Sequence, residues 1–550
     1  MKDITVDKIK YYFEVAKKYK DDIKSSYNET YRYTDVNFTI SDAETQQNTP
    51  ARDIDSTILK SQKFLCNFIM SSVFSKTGSW ATIKVNENLL KKIVGNDQIT
   101  QARADEINKV LDENSNTVYL TNDITNYYTE TVKALADCIK VGTGIRKIIE
   151  LKSNSKPFTY AYQNLDNIYF LEDNLGKPNI IFKRFLQKSQ SDIEDMFGHL
   201  GIKTAEDFLS EDNDYETRIN VIECIISDFD EMTSSYKYHH FIYTDNFEEM
   251  LYQGILEYNP YTIFRWQVDS SNPWGIGIGR ENLDLFKDLE KKKKLRNKHA
   301  QKIVDPPANF YGSIDLINKV SLAAGALNYG GSGIGTDKYG VEPINLGSNL
   351  LPVDQDIADL RERIRDVYMA QPLGDVGDTK NRSATEMTLR HEMFRKECSG
   401  TYELINTELL EPTFMNAYYI LSKKGLLKAI DDKMDYLPIT QIQYINELTR
   451  SAGASEVMNV INYYNSIALL VPEAEREYIL KVEEFIDWSS KKMNIPLNIL
   501  NTKEEFKQLT AKQQQMEQLQ QMAEVQSDIG KRNDVGLNDE ISKGVKNLGV

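Results

Sequence analysis

Histidine is scarce in this chain: His199, His239, His240, His299 and His391 are the only five in 550 residues. A helical two-histidine zinc site needs a second imidazole four positions after the first. His391-Glu392 opens that pattern, but position 395 is Arg, so the site is excluded. His239 and His240 are adjacent, and on a strand they point to opposite faces. Cysteine is scarce too. Cys66, Cys138, Cys224 and Cys398 show neither metal nor disulfide spacing and read as buried, reduced thiols of a protein made in the cytosol. There is no Gly-x-Ser-x-Gly elbow and no Cys-His pair. Gly275, Gly277 and Gly279 alternate, but the dinucleotide fingerprint needs its third glycine one position later. No Gly-Lys-Ser/Thr follows there or in Gly330–Thr336, so the segment reads as a strand-to-helix entry rather than a phosphate cradle. No catalytic residues, no metal and no cofactor are expected. No window approaches 18 uninterrupted apolar residues, which excludes a transmembrane helix, and the start Met1-Lys2-Asp3-Ile4-Thr5 lacks the apolar core of a signal peptide.

What is present is an ordinary globular composition, 41% hydrophobic and 27% charged, in a chain long enough for two to four structural units. The net charge of −16 argues against a surface that grips nucleic acid everywhere. It is compatible with one along which DNA slides, because a negative wall repels phosphate and every extra phosphate contact would slow motion.

Residues 1–140 read as mainly helical, with amphipathic stretches at Lys8–Ile23, Asp53–Phe74, Ala102–Glu113 and Asp123–Cys138, and a turn and strand at Gly78–Val85. The apolar side of the second stretch comprises Ile58, Leu59, Phe64, Leu65 and Phe68. From 141 to 270 the period becomes two, giving strands at Gly144–Leu151, Ile168–Leu171, Asn179–Phe185, Asn220–Ile226 and His240–Tyr243, with a hairpin turn at Asp173–Gly176. Asn282–Val304 is a helix of unusual charge. From Phe286 on it holds Lys287, Lys291, Lys292, Lys293, Lys294, Arg296, Lys298 and Lys302 against Asp288 and Glu290. At about 100° per residue, four consecutive lysines cannot share a face. Asp305-Pro306-Pro307 ends this helix. A Gly- and Asn-rich stretch to 352 leads into a second helix, Asp354–Tyr368, with Ile357, Leu360, Ile364 and Val367 as its stripe. Gln371-Pro372-Leu373-Gly374 stops that helix, and a polar loop, Asp375–Arg382, follows. Ser383-Ala384-Thr385-Glu386 is a capping box opening a helix that runs to Leu410, kinks at Pro412 and continues to Leu421. Beyond Gly425, helices are expected at Ile439–Arg450, Ser455–Ala468, Pro472–Trp488 and Thr502–Gly530.

The segment Ser383–Glu392, closing in Leu404–Pro412, resembles the tunnel loop and long kinked helix of portal (head-to-tail connector) proteins from short-tailed, podovirus-type tailed bacteriophages. Three further stretches match that pattern in order: the Asp55-Ser56-Thr57 helix before the Trp80 strand, the hairpin Leu165–Gly176 continuing to Phe197-Gly198, and the helix ending Val304-Asp305-Pro306-Pro307. The resemblance implies an α+β, mainly helical portal fold assembling as a ring. Its parts would be a wing (1–281), a first stem helix (282–304), a clip (305–352), a second stem helix (353–370) and a tunnel loop (371–382). A long kinked wing helix (383–430), a helical crown or barrel (431–530) and a mobile tail (531–550) complete it. It further implies a dodecameric channel at one capsid vertex, through which double-stranded DNA is packaged and ejected, non-enzymatic in itself. Asp375, Asp378, Lys380 and Arg382 would face the DNA, Lys291, Lys294, Lys298 and Lys302 would form a basic ring on the stem, and Phe310 and Tyr311 would serve terminase and tail docking at the clip. Implied partners are further copies of the chain, the major capsid protein, the terminase large subunit, a tail adaptor and double-stranded DNA read without sequence specificity, with no membrane. The location would be the virion, and the host cytoplasm during assembly. The alternative reading is a helical scaffold that binds other proteins through its Gln-rich C-terminal helix.

Overall fold

The computed structural model describes residues 4–36, 54–74, 79–85, 97–197, 200, 218–230, 235–311, 323–329, 340–344, 349–370, 399–429, 440–445, 447–468 and 482–493. The chain divides into two units, Met1–Ala452 and Gly453–Val550.

Helix α1 (Val6–Thr34) is longer than its apolar stripe suggested. Ile9, Phe13 and Ala16 bury against a sheet, as the periodicity required, and the helix then continues through Ile23 and Tyr27 into a second cluster. Helix α2 (Ser56–Val73) is capped by Asp55 and buries Ile58, Leu65, Ile69 and Met70. Phe64, expected inside, is 39% exposed, because Ser61, Gln62 and Cys66 occupy the inner face instead. Strand β1 (Ala81–Val85) is followed by α3 (Asp97–Ile124) and α4 (Tyr127–Val141). The break between these two helices falls at Thr125-Asn126, well after the expected one, and Asn126 there bonds to β3 (Phe158–Tyr162).

The period-two region forms two sheets. Strand β2 (Thr143–Glu150) is central between β3 and β9 (Tyr261–Arg265), both antiparallel to it. The larger sheet runs β4 (Ile168–Leu171), β5 (Ile180–Lys188), β6 (Ile219–Asp230), β7 (Ser235–Thr244), β8 (Met250–Leu256), all antiparallel. A short helix α5 (Gln190–Phe197) follows β5. Cys66, Cys138 and Cys224 are buried free thiols, while Cys398 lies outside the described residues.

The glycine run has a packing reason. Gly277 and Gly279 press on the last carbonyls of α4, and Gly275 on Gly142: a Cβ on Gly277 would sit 2.5 Å from the Gly142 nitrogen and 2.9 Å from the Cys138 and Ile139 oxygens. The chain crosses that helix end in close contact and enters the one-turn α6 (Ile278–Glu281) and then α7 (Leu283–Val304). Beyond Pro307, β10 (Ala308–Tyr311) pairs parallel with β11 (Leu327–Tyr329) and antiparallel with β12 (Gly340–Pro343). Helix α8 (Leu351–Val367) starts one turn before Asp354, with Pro352 in the first turn, where its missing N–H costs nothing.

The kinked helix is described from Ser399. It comprises α9 (Ser399–Leu404), a π-helical turn (Ile405–Leu410) and α10 (Glu411–Lys423). Pro412 brings no N–H to the preceding turn, and the wider π turn accommodates that loss. Gly425 closes the helix at φ 67°. The expected helix Ile439–Arg450 is corrected. Thr440–Tyr444 is a strand, β13, antiparallel to β1 in the register Ile83↔Ile442, and helix α11 (Glu447–Ala468) begins only after it. The other side of β1 is occupied by α3: Asn108 and Ser115 accept the amides of Val85 and Ile83. In the second unit, α12 (Val482–Met493) follows α11, and the expected helix Thr502–Gly530 lies outside the described residues.

Candidate functional site

The two expected stem helices form an antiparallel hairpin. Phe286 and Leu289 of α7 meet Ile357, Leu360 and Ile364 of α8 in one buried cluster, and the rings of Phe286 and Tyr368 stack at 6.2 Å. The Tyr368 hydroxyl accepts from Gln62 of α2, so the hairpin is anchored to the helical body.

The charges of α7 are distributed rather than pooled. Lys292 pairs with Asp356 (3.2 Å) and Arg296 with Asp354 (2.9 Å), both across the hairpin. Lys287 reaches Glu29 of α1 (2.8 Å), and Lys294 pairs with Glu290 one turn back (2.5 Å). Lys293 reaches Asp55 (3.3 Å). Asp55 is a hub: it also accepts from the Thr57 amide (2.9 Å) and from Arg361 of α8 (2.9 Å). Burial pushes its carboxyl up, but Arg361, the Thr57 amide and Lys293 outweigh burial and hold it well below the usual carboxylate range. The four consecutive lysines do face different ways.

Of the basic-ring candidates, Lys294 is thus spent within the chain. Lys291, Lys298 and Lys302 have no ion pair among the described residues, and Lys291 and Lys298 are exposed. Phe310 and Tyr311 lie in the central strand of the β10–β12 sheet, opposite Val341 and Gly340. Asp375, Asp378, Lys380 and Arg382 fall outside the described residues, as does the capping box.

Other buried charges serve the frame. Arg265 of β9 donates to both oxygens of Glu408 in the π turn, to Glu172, and to the carbonyls of Pro273 (3.0 Å) and Gly176 (3.3 Å). It ties the kinked helix to both sheets. Glu223 accepts from Lys147 (2.8 Å), His240 (3.0 Å) and Tyr261 (2.6 Å), joining the two sheets. His240 is therefore the inward member of the histidine pair, and His239 lies near Asp228 on the other face. Arg146 is fully buried between the rings of Tyr127 and Tyr160 and donates to Thr131 and Thr413. None of these hubs stood out in the sequence, because each joins residues dozens to hundreds of positions apart. Only Asp55 left a local signal, as a helix cap. Among the described residues no group of three or more His, Cys, Asp or Glu could hold a metal, and no helix is long and apolar enough to cross a membrane.

The family model of the bacteriophage head to tail connecting protein matches residues 6–500. The chain belongs to that family. No curated protein matches it. As a connector it is a structural component of a phage particle at the capsid vertex, where head and tail meet, and its surfaces face capsid and tail components. The helical hairpin, the strand-rich region and the pinned, kinked helix are the frame of such a connector.

Proposed function

We propose that the chain assembles as a dodecameric portal ring through whose bore double-stranded DNA is packaged and later ejected. The observation that carries this reading is the connector-family match over residues 6–500, which includes the two-helix hairpin α7/α8. On this reading the hairpin is the stem that lines the channel. Lys291, Lys298 and Lys302 recur in every copy around the ring, and the β10–β12 sheet is the clip, offering Phe310 and Tyr311 to the terminase large subunit and then to a tail adaptor. The strand-rich region is the wing and meets the major capsid protein. The loop 371–382 narrows the bore. With Asp375 and Asp378 against Lys380 and Arg382 it is locally neutral, able to touch phosphates without holding them.

The test is negative-stain imaging and native mass of the purified chain. Rings of twelve copies with a central hole are expected. Solitary particles, or rings carrying 371–382 on the outer rim, would overturn the reading.

A further inference from the structure

The hairpin carries two stripes of opposite charge. On α7, Lys291, Lys298 and Lys302 follow spacings of seven and four, which places them within about 40° of one another around the helix. Leu289 and Phe286, which face the core, lie about 160° and 140° away from Lys291. On α8, Asp359, Glu362 and Asp366 follow spacings of three and four and likewise share a side. Ile357, Leu360 and Ile364, buried, lie about 100–160° from Asp359. Each stripe thus turns away from the core the two helices share. Asp359 and Glu362 are exposed and, like Lys291 and Lys298, make no ion pair among the described residues. This contrasts with their neighbours: Lys292, Lys293, Lys294, Arg296, Asp354, Asp356 and Arg361 are all paired within the chain.

We propose that the lysine stripe of α7 in one copy seats on the acidic stripe of α8 in the next, so that the hairpins join copies head to tail. The proposal rests on the ring reading above and names the surface that closes the ring. The occupant follows from the charges. A two-fold dimer through either stripe would set lysine against lysine or carboxylate against carboxylate, which repels. DNA on the lysine stripe would leave Asp359 and Glu362 without a counter-charge. A second copy, offset by rotation, satisfies both at once, and a heterologous contact of this kind closes into a ring.

The charges also constrain the packing angle. The pairs Lys292–Asp356 and Arg296–Asp354 fix the antiparallel register. With hairpins upright, Lys291 would sit near Asp359, but Asp284 and Asp288 would oppose Glu362 and Asp366. Neighbours in a ring stand at equal height, so only inclined hairpins slide one helix along the next. A slide of about 10 Å, or seven residues at 1.5 Å each, carries Asp284 and Asp288 past these carboxylates and sets Lys291 opposite Asp366 and Lys298 opposite Asp359.

The test is charge reversal in the full chain, read by native mass and imaging, with thermal melting and duplex DNA binding alongside. K291E/K298E and D359K/E362K alter exposed positions, so melting of the isolated chain should not move. Each variant should lose ring assembly by roughly tenfold or more, and the combination of all four changes, which restores opposite signs, should recover it. Rings that persist in both reversed variants would overturn the proposal, whether or not the lysine variant loses DNA binding; loss of DNA binding would place the lysines toward the bore instead. Failure of the combined variant to recover rings would overturn it as well. Absence of rings in the unaltered chain would instead sink the ring reading on which the proposal stands.

Discussion

Asp55 has no spare capacity: one carboxylate caps α2 and takes a cation from each helix of the α7/α8 hairpin. Replacing it by Asn keeps the cap but leaves Lys293 and Arg361 facing each other. Because both cations still reach water, the expected loss is about 1 kcal/mol, and Asp55→Ala should lose about 1 kcal/mol more with the cap. A graded fall in melting temperature from wild type to Asn to Ala checks this; an Asn variant as stable as wild type would show that the charges contribute nothing. Asp137 of α4 gives a pH signature of the opposite kind. Burial pushes its carboxyl up to about 6, although Tyr162 donates to it and Lys140 lies near. A folded-state value above the unfolded one, near 4, means that the contribution is full below pH ~4 and is lost as pH rises through ~6. Relative to Asp137→Asn, the wild type should lose about 2–3 kcal/mol between those limits, read from melts of both proteins across that range. Parallel curves would rule it out.

At the scale of elements, the crossing of Gly275–Gly279 over the end of α4 fixes where the α7/α8 hairpin begins. Gly277→Ala would drive a methyl into three backbone atoms that cannot yield separately. The expected cost is about 2 kcal/mol or more, measured by chemical denaturation. An unchanged midpoint would mean that the crossing is looser than its contacts indicate. The proposed tunnel loop, 371–382, makes the complementary case. Deleting Asp375–Lys380 should leave rings intact while genome-filled particles fall sharply in a packaging assay, and normal filling would remove the loop from the mechanism. Helices α7 and α8 and the break after Val304 were legible in the sequence because prolines and apolar spacing are local signals. So were most strands of the larger sheet, and the histidine pair divided as alternation required. Strand β13 was not. Its partner, β1, lies more than 350 residues earlier in the chain, and Thr440–Tyr444 takes its shape from that pairing rather than from its own periodicity. The continuation of α1 past Ile23 was missed because its second half packs on a different cluster, so one continuous stripe never forms. In α7, spacing shows which lysines share a face and places Glu290 one turn before Lys294, while only the fold shows that Glu29, Asp55, Asp354 and Asp356 take up four of the helix's eight cations.

For the whole molecule the decisive quantity is charge per copy. On the ring reading, twelve copies at −16 each carry roughly −190 before counterions, and the lysine excess of α7 is largely paired within each chain. On that reading a polyanion in the bore would meet net like charge, relieved at few points. That is the condition for a duplex to move under an external motor and not to stall, since every phosphate neutralised by Lys or Arg adds affinity through counterion release. Assembled rings should therefore bind linear duplex weakly, and the slope of log Kobs against log salt should be shallow, around −3 or less in magnitude, compared with about −10 for a protein that grips many phosphates. Fluorescence anisotropy across a salt series measures both quantities. A steep slope with tight binding would mean that the lysines of α7 hold the duplex, and the ring would then act as a clamp instead of a sleeve.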